Sequence, residues 1–420
     1  MAQVSFTTSG ALGKSALRQA NERLLLDSIR RRPGVSRAEL ARTTGFSRTS
    51  VTFVINRLIA QGLVREQKGE GAPQTGRPPS ELRLATEAML AVGVEIARPV
   101  SRVVVVDMAG KILESRDVDA DPHPEVWLDA VKDAIRALAG GRRSRRILGV
   151  GVSLPGTVDV ATGRVVAAES IGWFGVEAGK RLRAGFSWRF IFENDANLAA
   201  LAEQWFGDPE ARGFRYFVAI RPQGGLGTGI VVEGRALRGA QSAAAEFGHV
   251  MLYPDGRLCN CGNRGCWEQY ASDAALARAY GARVGRAIPA DTFGEALRIV
   301  DAAMNGDEPS LEALRETARY LALGCVNLIA ALNPQAIIVG EPFARGWKLI
   351  EDLVRAELKQ RLPAYQLSGL RLIPSRLDSD AATLGAAALA LTSFFTRFEH
   401  SRDGAMARKN GDSVLMEAHR

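Results

Sequence analysis

Residues 249–268 read "HVMLYPDGRLCNCGNRGCWE", and into this stretch the chain gathers three of its four cysteines and one of its four histidines. His249, Cys259, Cys261 and Cys266 follow the spacing H-x9-C-x-C-x4-C. Three sulfur donors and an imidazole form the set that suits tetrahedral zinc, and four protein ligands leave no coordination position for water. A structural Zn2+ is therefore expected, with Gly262 and Gly265 permitting the tight loop that four ligands impose. Free thiols are the alternative, weakened by the scarcity of cysteine elsewhere. Cys325 lies in an apolar run and reads as an ordinary buried residue.

Outward from this loop, 420 residues with 46% hydrophobic and 24% charged content is ordinary globular composition for two or three packed domains. The most apolar tract, residues 321–340, is interrupted by Asn327, Asn333 and Pro334, which argues against a membrane span and for a cytoplasmic protein. So few cysteines in so long a chain make no disulfide framework. Charge is unevenly placed. Residues 1–84 carry 14 Lys and Arg against 6 Asp and Glu, which is the whole formal net charge of +8, and the remainder is neutral. A basic module on a neutral body points to a polyanionic partner for the module, the alternative being a merely solvated basic terminus.

Residues 36–64, "SRAELARTTGFSRTSVTFVINRLIAQGLV", give that module its pattern. Ser36 and Ser47 are placed to cap successive helices, and Gly45 supplies the turn between them. Val51, Val54, Ile55, Leu58 and Ile59 fall on one face of the second helix. Small residues at Ala41 and Gly45 let the two helices cross closely, as a helix-turn-helix requires. Ser47, Arg48, Thr49, Ser50 and Thr52 then occupy the exposed start of a recognition helix, where base edges and phosphates are met. Two strand-like pieces around a Gly/Pro-rich loop follow as a wing, whose Arg77, between Gly76 and Pro78, suits a minor groove or a phosphate. A three-helix packing unit without nucleic acid is the competing reading. Residues 1–84 are thus expected to be a winged helix-turn-helix domain that binds double-stranded operator DNA.

From residue 85 short apolar strands ending in Gly or an acid alternate with helical runs, indicating α/β architecture with functional residues at strand ends. Residues 85–395 are expected to form two lobes dividing near residue 200, with the small-residue helix of 380–395 returning to the first lobe, and 396–420 a loose tail.

The segment 243–272, "AAAEFGHVMLYPDGRLCNCGNRGCWEQYAS", resembles the motif of the ROK family of repressors, open reading frames and kinases, and "LPGTVDVATGRVV" (154–166) and "IFENDANLAALAE" (191–203) look like further family segments. The resemblance implies a two-lobed actin-like or hexokinase-like, RNase H-like domain in which the zinc loop shapes a sugar site. It places Asn194, Asp195, Glu246, His249 and Glu268 at sugar-binding positions, with Asp195 the general base in kinases of the family. Carboxylates and amides around a ring of hydroxyls make chemical sense independently, although each acid taken singly also fits a salt bridge at a helix start. The basic module is similar to the DNA-binding half of the family's sugar-responsive repressors.

Nucleotide elements depart from the family pattern. Where the first phosphate loop resembles D-x-G-G-T, this chain has Glu95, Ala97, Arg98 and Pro99, and proline has no N–H to donate. A glycine loop persists at Gly224, Gly225, Gly227 and Gly229, but the later Gly-Gly turn reads Gly340, Glu341. The expectation is a homodimeric repressor of carbohydrate-use genes, responsive to a sugar or sugar phosphate and lacking kinase activity. The alternatives are a bifunctional DNA-binding sugar kinase and a regulator whose lobes dock another protein.

Overall fold

The computed structural model describes residues 14–68, 80–240, 242–287, 289 and 291–396. Arg77 and the expected tail beyond residue 396 lie outside the described residues. Two compact units emerge, one reaching Met89 and one spanning Leu90–Ala390.

In the N-terminal unit, helices α1 (Lys14–Arg31), α2 (Arg37–Thr44) and α3 (Arg48–Ala60) precede an antiparallel pair of strands, β1 (Val64–Lys68) and β2 (Ser80–Leu84). Ser36 caps α2 in a capping box: its side chain accepts from the Glu39 N–H, while the Glu39 carboxylate accepts from the Ser36 N–H at 2.8 Å. Gly45 ends the helix at φ +74°, the left-handed geometry that glycine adopts without strain. Ser47 caps α3, accepting from Ser50 N–H at 3.1 Å. Leu25, Leu26, Ile29, Leu40, Val51, Ile55, Leu58 and Leu82 make the core. Arg37 grips Glu66 through two hydrogen bonds of 3.1 and 2.7 Å, tying α2 to the first wing strand. The unit is a winged helix-turn-helix.

The second unit contains two five-stranded sheets of matching plan. The first has the order β10-β6-β3-β4-β5, from β3 (Leu90–Glu95), β4 (Val100–Asp107), β5 (Ile112–Asp119), β6 (Ile147–Leu154) and β10 (Phe190–Asn194). The other has β13-β12-β11-β14-β15, from β11 (Tyr216–Arg221), β12 (Gly227–Val232), β13 (Arg235–Ala236), β14 (Ala336–Val339) and β15 (Arg371–Pro374). In each, an antiparallel meander of three strands is extended by two parallel ones. This repeated topology is the two-lobed hexokinase-like arrangement. A small sheet of β7 (Thr157–Asp159), β8 (Arg164–Ala168) and β9 (Trp173–Val176) adjoins the first lobe.

Helices α4 (Pro124–Ala139) and α5 (Ala178–Arg183) cover the first sheet, with Trp127, Leu128, Val131 and Ile135 of α4 buried. Helix α6 (Asp195–Phe206) leaves the end of β10 and packs on β11 and β12. The second lobe adds α7 (Glu268–Ala271), α8 (Asp273–Val284), α9 (Thr292–Met304), α10 (Glu308–Leu332), α11 (Trp347–Arg361) and α12 (Ala364–Leu367). Cys325 of α10 is buried in its core, where desolvation pushes the thiol up to about 12. The last helix, α13 (Ala381–Thr396), lies against the first sheet. There a Cβ on Gly151 would fall 1.7 Å from the Ala386 carbonyl oxygen, so the sheet and a helix rich in alanine approach backbone to backbone.

Candidate functional site

The opening loop draws its histidine and cysteines together. His249 stands at the end of a short 3-10 turn, Phe247–His249, in which the His249 N–H bonds Glu246 O at 3.1 Å and the Val250 N–H bonds Phe247 O at 3.0 Å. Cys266 and Met251 form an isolated β-bridge, and Cys259 N–H reaches Asn263 O at 2.8 Å across the Gly262 turn. The donor atoms of His249, Cys259, Cys261 and Cys266 all lie within 4.8 Å of one another. His249 Nδ1 is 3.7 Å from Cys259 Sγ, and Cys261 Sγ is 3.7 Å from Cys266 Sγ. Ligands at about 2.3 Å around a tetrahedral ion are separated by roughly 3.8 Å, so this cage has the dimensions for one. Burial and neighbouring sulfurs push the Cys266 thiol up to about 12, a penalty that a bound cation relieves.

Glu268 joins the metal cage to the cleft. Its Oε1 lies 3.6 Å from Cys259 Sγ, and its Oε2 accepts the Leu226 N–H at 3.2 Å. Gly225, at φ +133°, permits this approach, since a Cβ there would sit 2.7 Å from Glu268 Oε2. Glu246 is pushed upward by desolvation; His249 opposes this, while Asp195, Glu169 and Glu268 add to it. The structure therefore brings Asp195, Glu246, His249 and Glu268 into one electrostatic neighbourhood and adds Glu169. Asn194 is turned to a different task. Its Oδ1 caps α6 by accepting from Ala196 and Asn197 N–H, and its amide donates to Gly156 O at 2.9 Å.

Arg221, which sequence reasoning missed, stands beside Asp195. At the end of β11 its Nη1 donates to Asp195 Oδ2 at 2.8 Å and its Nη2 to Glu95 Oε1 at 2.7 Å. Thr383 Oγ1 donates to the other Glu95 oxygen at 2.6 Å. Burial works against the arginine charge, but Asp195 and Glu95 outweigh it and hold the guanidinium above its ordinary value. For Glu95 burial raises the carboxyl, with Arg221 and Thr383 pulling the other way. The signal available in sequence was a lone arginine closing the apolar run "YFVAI" before the glycine loop.

Two donors of the glycine loop are already matched. Gly224 N–H bonds Asp273 Oδ2 at 3.0 Å, just as Leu226 N–H bonds Glu268. Gly229 serves packing, because a Cβ there would meet the Ala196 carbonyl oxygen at 2.3 Å. Nearby, a crevice of about 20 Å3 is lined by Ala199, Glu203, Arg221, Glu341 and Ser375. Glu341 pairs with Arg345 at 3.1 Å. Burial pushes Glu203 up to about 7, against a hydrogen bond with Ser375 and with a smaller push from Asp208.

On α3 the residues expected at DNA, Ser47, Arg48, Thr49, Ser50 and Thr52, are exposed, while Val51, Val54, Ile55 and Leu58 are buried. Phe53 and Asn56 share the exposed face, Phe53 being 63% exposed. Its place off the buried stripe was legible from helical periodicity.

Residues 91–393 match the ROK family. The chain belongs to the ROK family. Residues 19–72 of this ROK protein match the MarR family. It is 27% identical over 381 residues to a xylose repressor of Bacillus spizizenii, covering 90% of this chain and 96% of the repressor. To a glucokinase of Streptomyces coelicolor it is 33% identical over 315 residues, covering 72% of this chain and 97% of the kinase. A crystal structure of a ROK family transcriptional regulator, a homologue of the E. coli MLC protein, shares the fold at TM-score 0.72 and 24% identity, covering 90% of this chain and 97% of that one. A ROK family glucokinase from Streptomyces griseus, in complex with glucose and AMPPNP, aligns at TM-score 0.64 and 30% identity, covering 72% of this chain and 99% of the kinase. Among the described residues no helix is long and apolar enough to cross a membrane.

Proposed function

We propose that this ROK protein is a cytoplasmic, homodimeric transcriptional repressor that binds operator DNA through its winged helix-turn-helix, responds to a sugar and has no kinase activity. The observation that carries the reading is the state of the nucleotide side: the backbone N–H groups of Gly224 and Leu226 are already engaged, donating to the carboxylates of Asp273 and Glu268. Phosphate recognition by a glycine loop depends on such N–H groups being available. The likeness to a xylose repressor over both the DNA-binding module and the ROK domain supports the same conclusion.

In this reading Asp195, Glu246 and Glu268 accept sugar hydroxyls, and Asn194 holds the start of α6 in place. Zinc held by His249, Cys259, Cys261 and Cys266 would supply rigidity, fixing the loop from which Glu268 reaches the cleft. Ser47, Arg48, Thr49, Ser50, Thr52 and Arg77 meet the duplex. Sugar binding changes the lobe angle and so the spacing of two DNA-binding modules in the dimer; a tenfold change in operator affinity needs about 1.4 kcal/mol of differential sugar affinity between the two shapes.

The test combines a duplex selected by the protein from a random pool with thermal-shift titrations of D-xylose, D-glucose and their phosphates, with and without ATP. The expected result is a sugar-dependent shift that ATP leaves unchanged, together with altered operator affinity. Sugar-dependent ATP consumption instead establishes the second reading, a bifunctional kinase, which the retained Asp195 and the likeness to glucokinases favour.

A further inference from the structure

Arg221 ends β11 of the second sheet, and both of its carboxylate partners lie at strand ends of the first, Asp195 also opening α6, which packs on β11 and β12. Glu95 ends β3 and Asp195 directly follows β10, so the guanidinium is inserted between two strand ends of the opposite sheet. The arginine side chain is only 12% exposed and Glu95 only 8%. A further hydrogen bond from Nη1 to the Gln223 carbonyl, 3.1 Å, anchors the guanidinium to its own lobe's glycine loop, and Thr383 anchors Glu95 to α13. The planar fork of arginine holds several acceptors in fixed directions, which a lysine ammonium does not. Asp195 is already held on its other oxygen by the Ala196 N–H at 2.9 Å. A hydroxyl that docks on Asp195 thus meets a carboxylate whose position is set from both lobes at once.

We propose that Arg221 is the positioning residue that converts occupancy of Asp195 into lobe angle: an interlobe brace running Glu95–Arg221–Asp195. The proposal rests on the sugar-responsive reading above. A sugar hydroxyl on Asp195 favours the lobe angle at which the brace is closed, and Glu95, remote from the hydroxyl, is the anchor that passes the change to the first sheet. Coupling of this kind needs a differential contact in the two shapes, and the brace supplies one on atoms that the ligand itself touches.

The experiment measures, for the full chain, the ratio of operator Kd with and without saturating D-xylose or D-glucose, alongside the thermal shift given by that sugar. The variants are R221M, R221K, the isosteric E95Q and the R221M/E95Q double. Expected are a wild-type ratio of about tenfold or more, a ratio below about twofold in R221M and E95Q with the sugar's thermal shift retained, an intermediate R221K, and a double variant no worse than either single. Because E95Q keeps the side chain's shape, it carries the test where R221M folds poorly. A wild-type ratio in E95Q overturns the brace, as does loss of the thermal shift itself in that variant, which makes the cluster a pocket element. A wild-type protein indifferent to every sugar overturns the sugar-responsive reading and the brace with it.

Discussion

Replacing Glu203 with Gln isolates a single titration inside the second unit. Glu203 of α6 is 3% exposed, and burial pushes its carboxyl from 4.5 up to about 7. A carboxyl raised by the fold is one whose proton the folded state holds more tightly than the unfolded chain does. Its contribution is fully present below the unfolded value, shrinks as pH rises and is gone above about 7. The excursion, 7 less 4.5, is worth about 3 kcal/mol at about 1.4 kcal/mol per unit. Glutamine has the shape of the protonated acid, keeps an oxygen that accepts from the Ser375 hydroxyl, and does not titrate. Subtracting the variant's stability from the wild type's cancels every other ionisable group. Melting both proteins by calorimetry from pH 5 to pH 9 at fixed ionic strength should show the variant gaining about 4 °C on wild type, for a unit of roughly 300 residues losing about 2 cal/mol/K of entropy per residue. A difference that stays constant over that range refutes the argument, because it means that the carboxylate is charged in its crevice without penalty.

With zinc proposed at His249 and the three cysteines, the wild-type chain should release one zinc per chain as it melts, read by a zinc-sensitive dye, and prior chelation or Cys266→Ser should lower the melting temperature. Arg48→Ala should weaken operator binding across sequences and flatten the plot of log K against log salt by about one unit, measured by fluorescence anisotropy; an unchanged slope removes Arg48 from the phosphate contacts. Gly151→Ala should destabilise the first lobe by roughly 1–3 kcal/mol, read as a fall in the urea midpoint, because its methyl group would enter the Ala386 carbonyl.

The parts legible in the sequence are those whose physics is local. Ser36, Gly45 and Ser47 announce the ends of α2 and α3 because caps act within a few residues, and helical periodicity separates Val51, Val54, Ile55 and Leu58 from the exposed face. The metal cage is local too, since Cys259, Cys261 and Cys266 span eight positions of one loop. Arg221 escaped because its meaning lies 126 residues away at Glu95, across a boundary that no periodicity crosses. The glycine loop was half legible: Gly224 and Gly225 do form a backbone turn, but which acceptors meet the N–H groups of Gly224 and Leu226 depends on Asp273 and Glu268, placed by α8 and α7.

That choice of acceptor bears directly on whether a kinase-shaped domain offers a nucleotide its backbone donors. An N–H group is indifferent to whether its acceptor is phosphate or carboxylate, so a loop that once suits a phosphate can be satisfied from within by the protein's own acids. Once Asp273 and Glu268 hold those donors, an arriving triphosphate must displace them, and must do so beside the carboxyls of Glu203 and Glu341. The nearby cation offers no relief, because Arg221 is already shared between Asp195 and Glu95. Glu268, which takes a donor of the glycine loop, also lies against Cys259, so one side chain links that loop to the sulfur cluster.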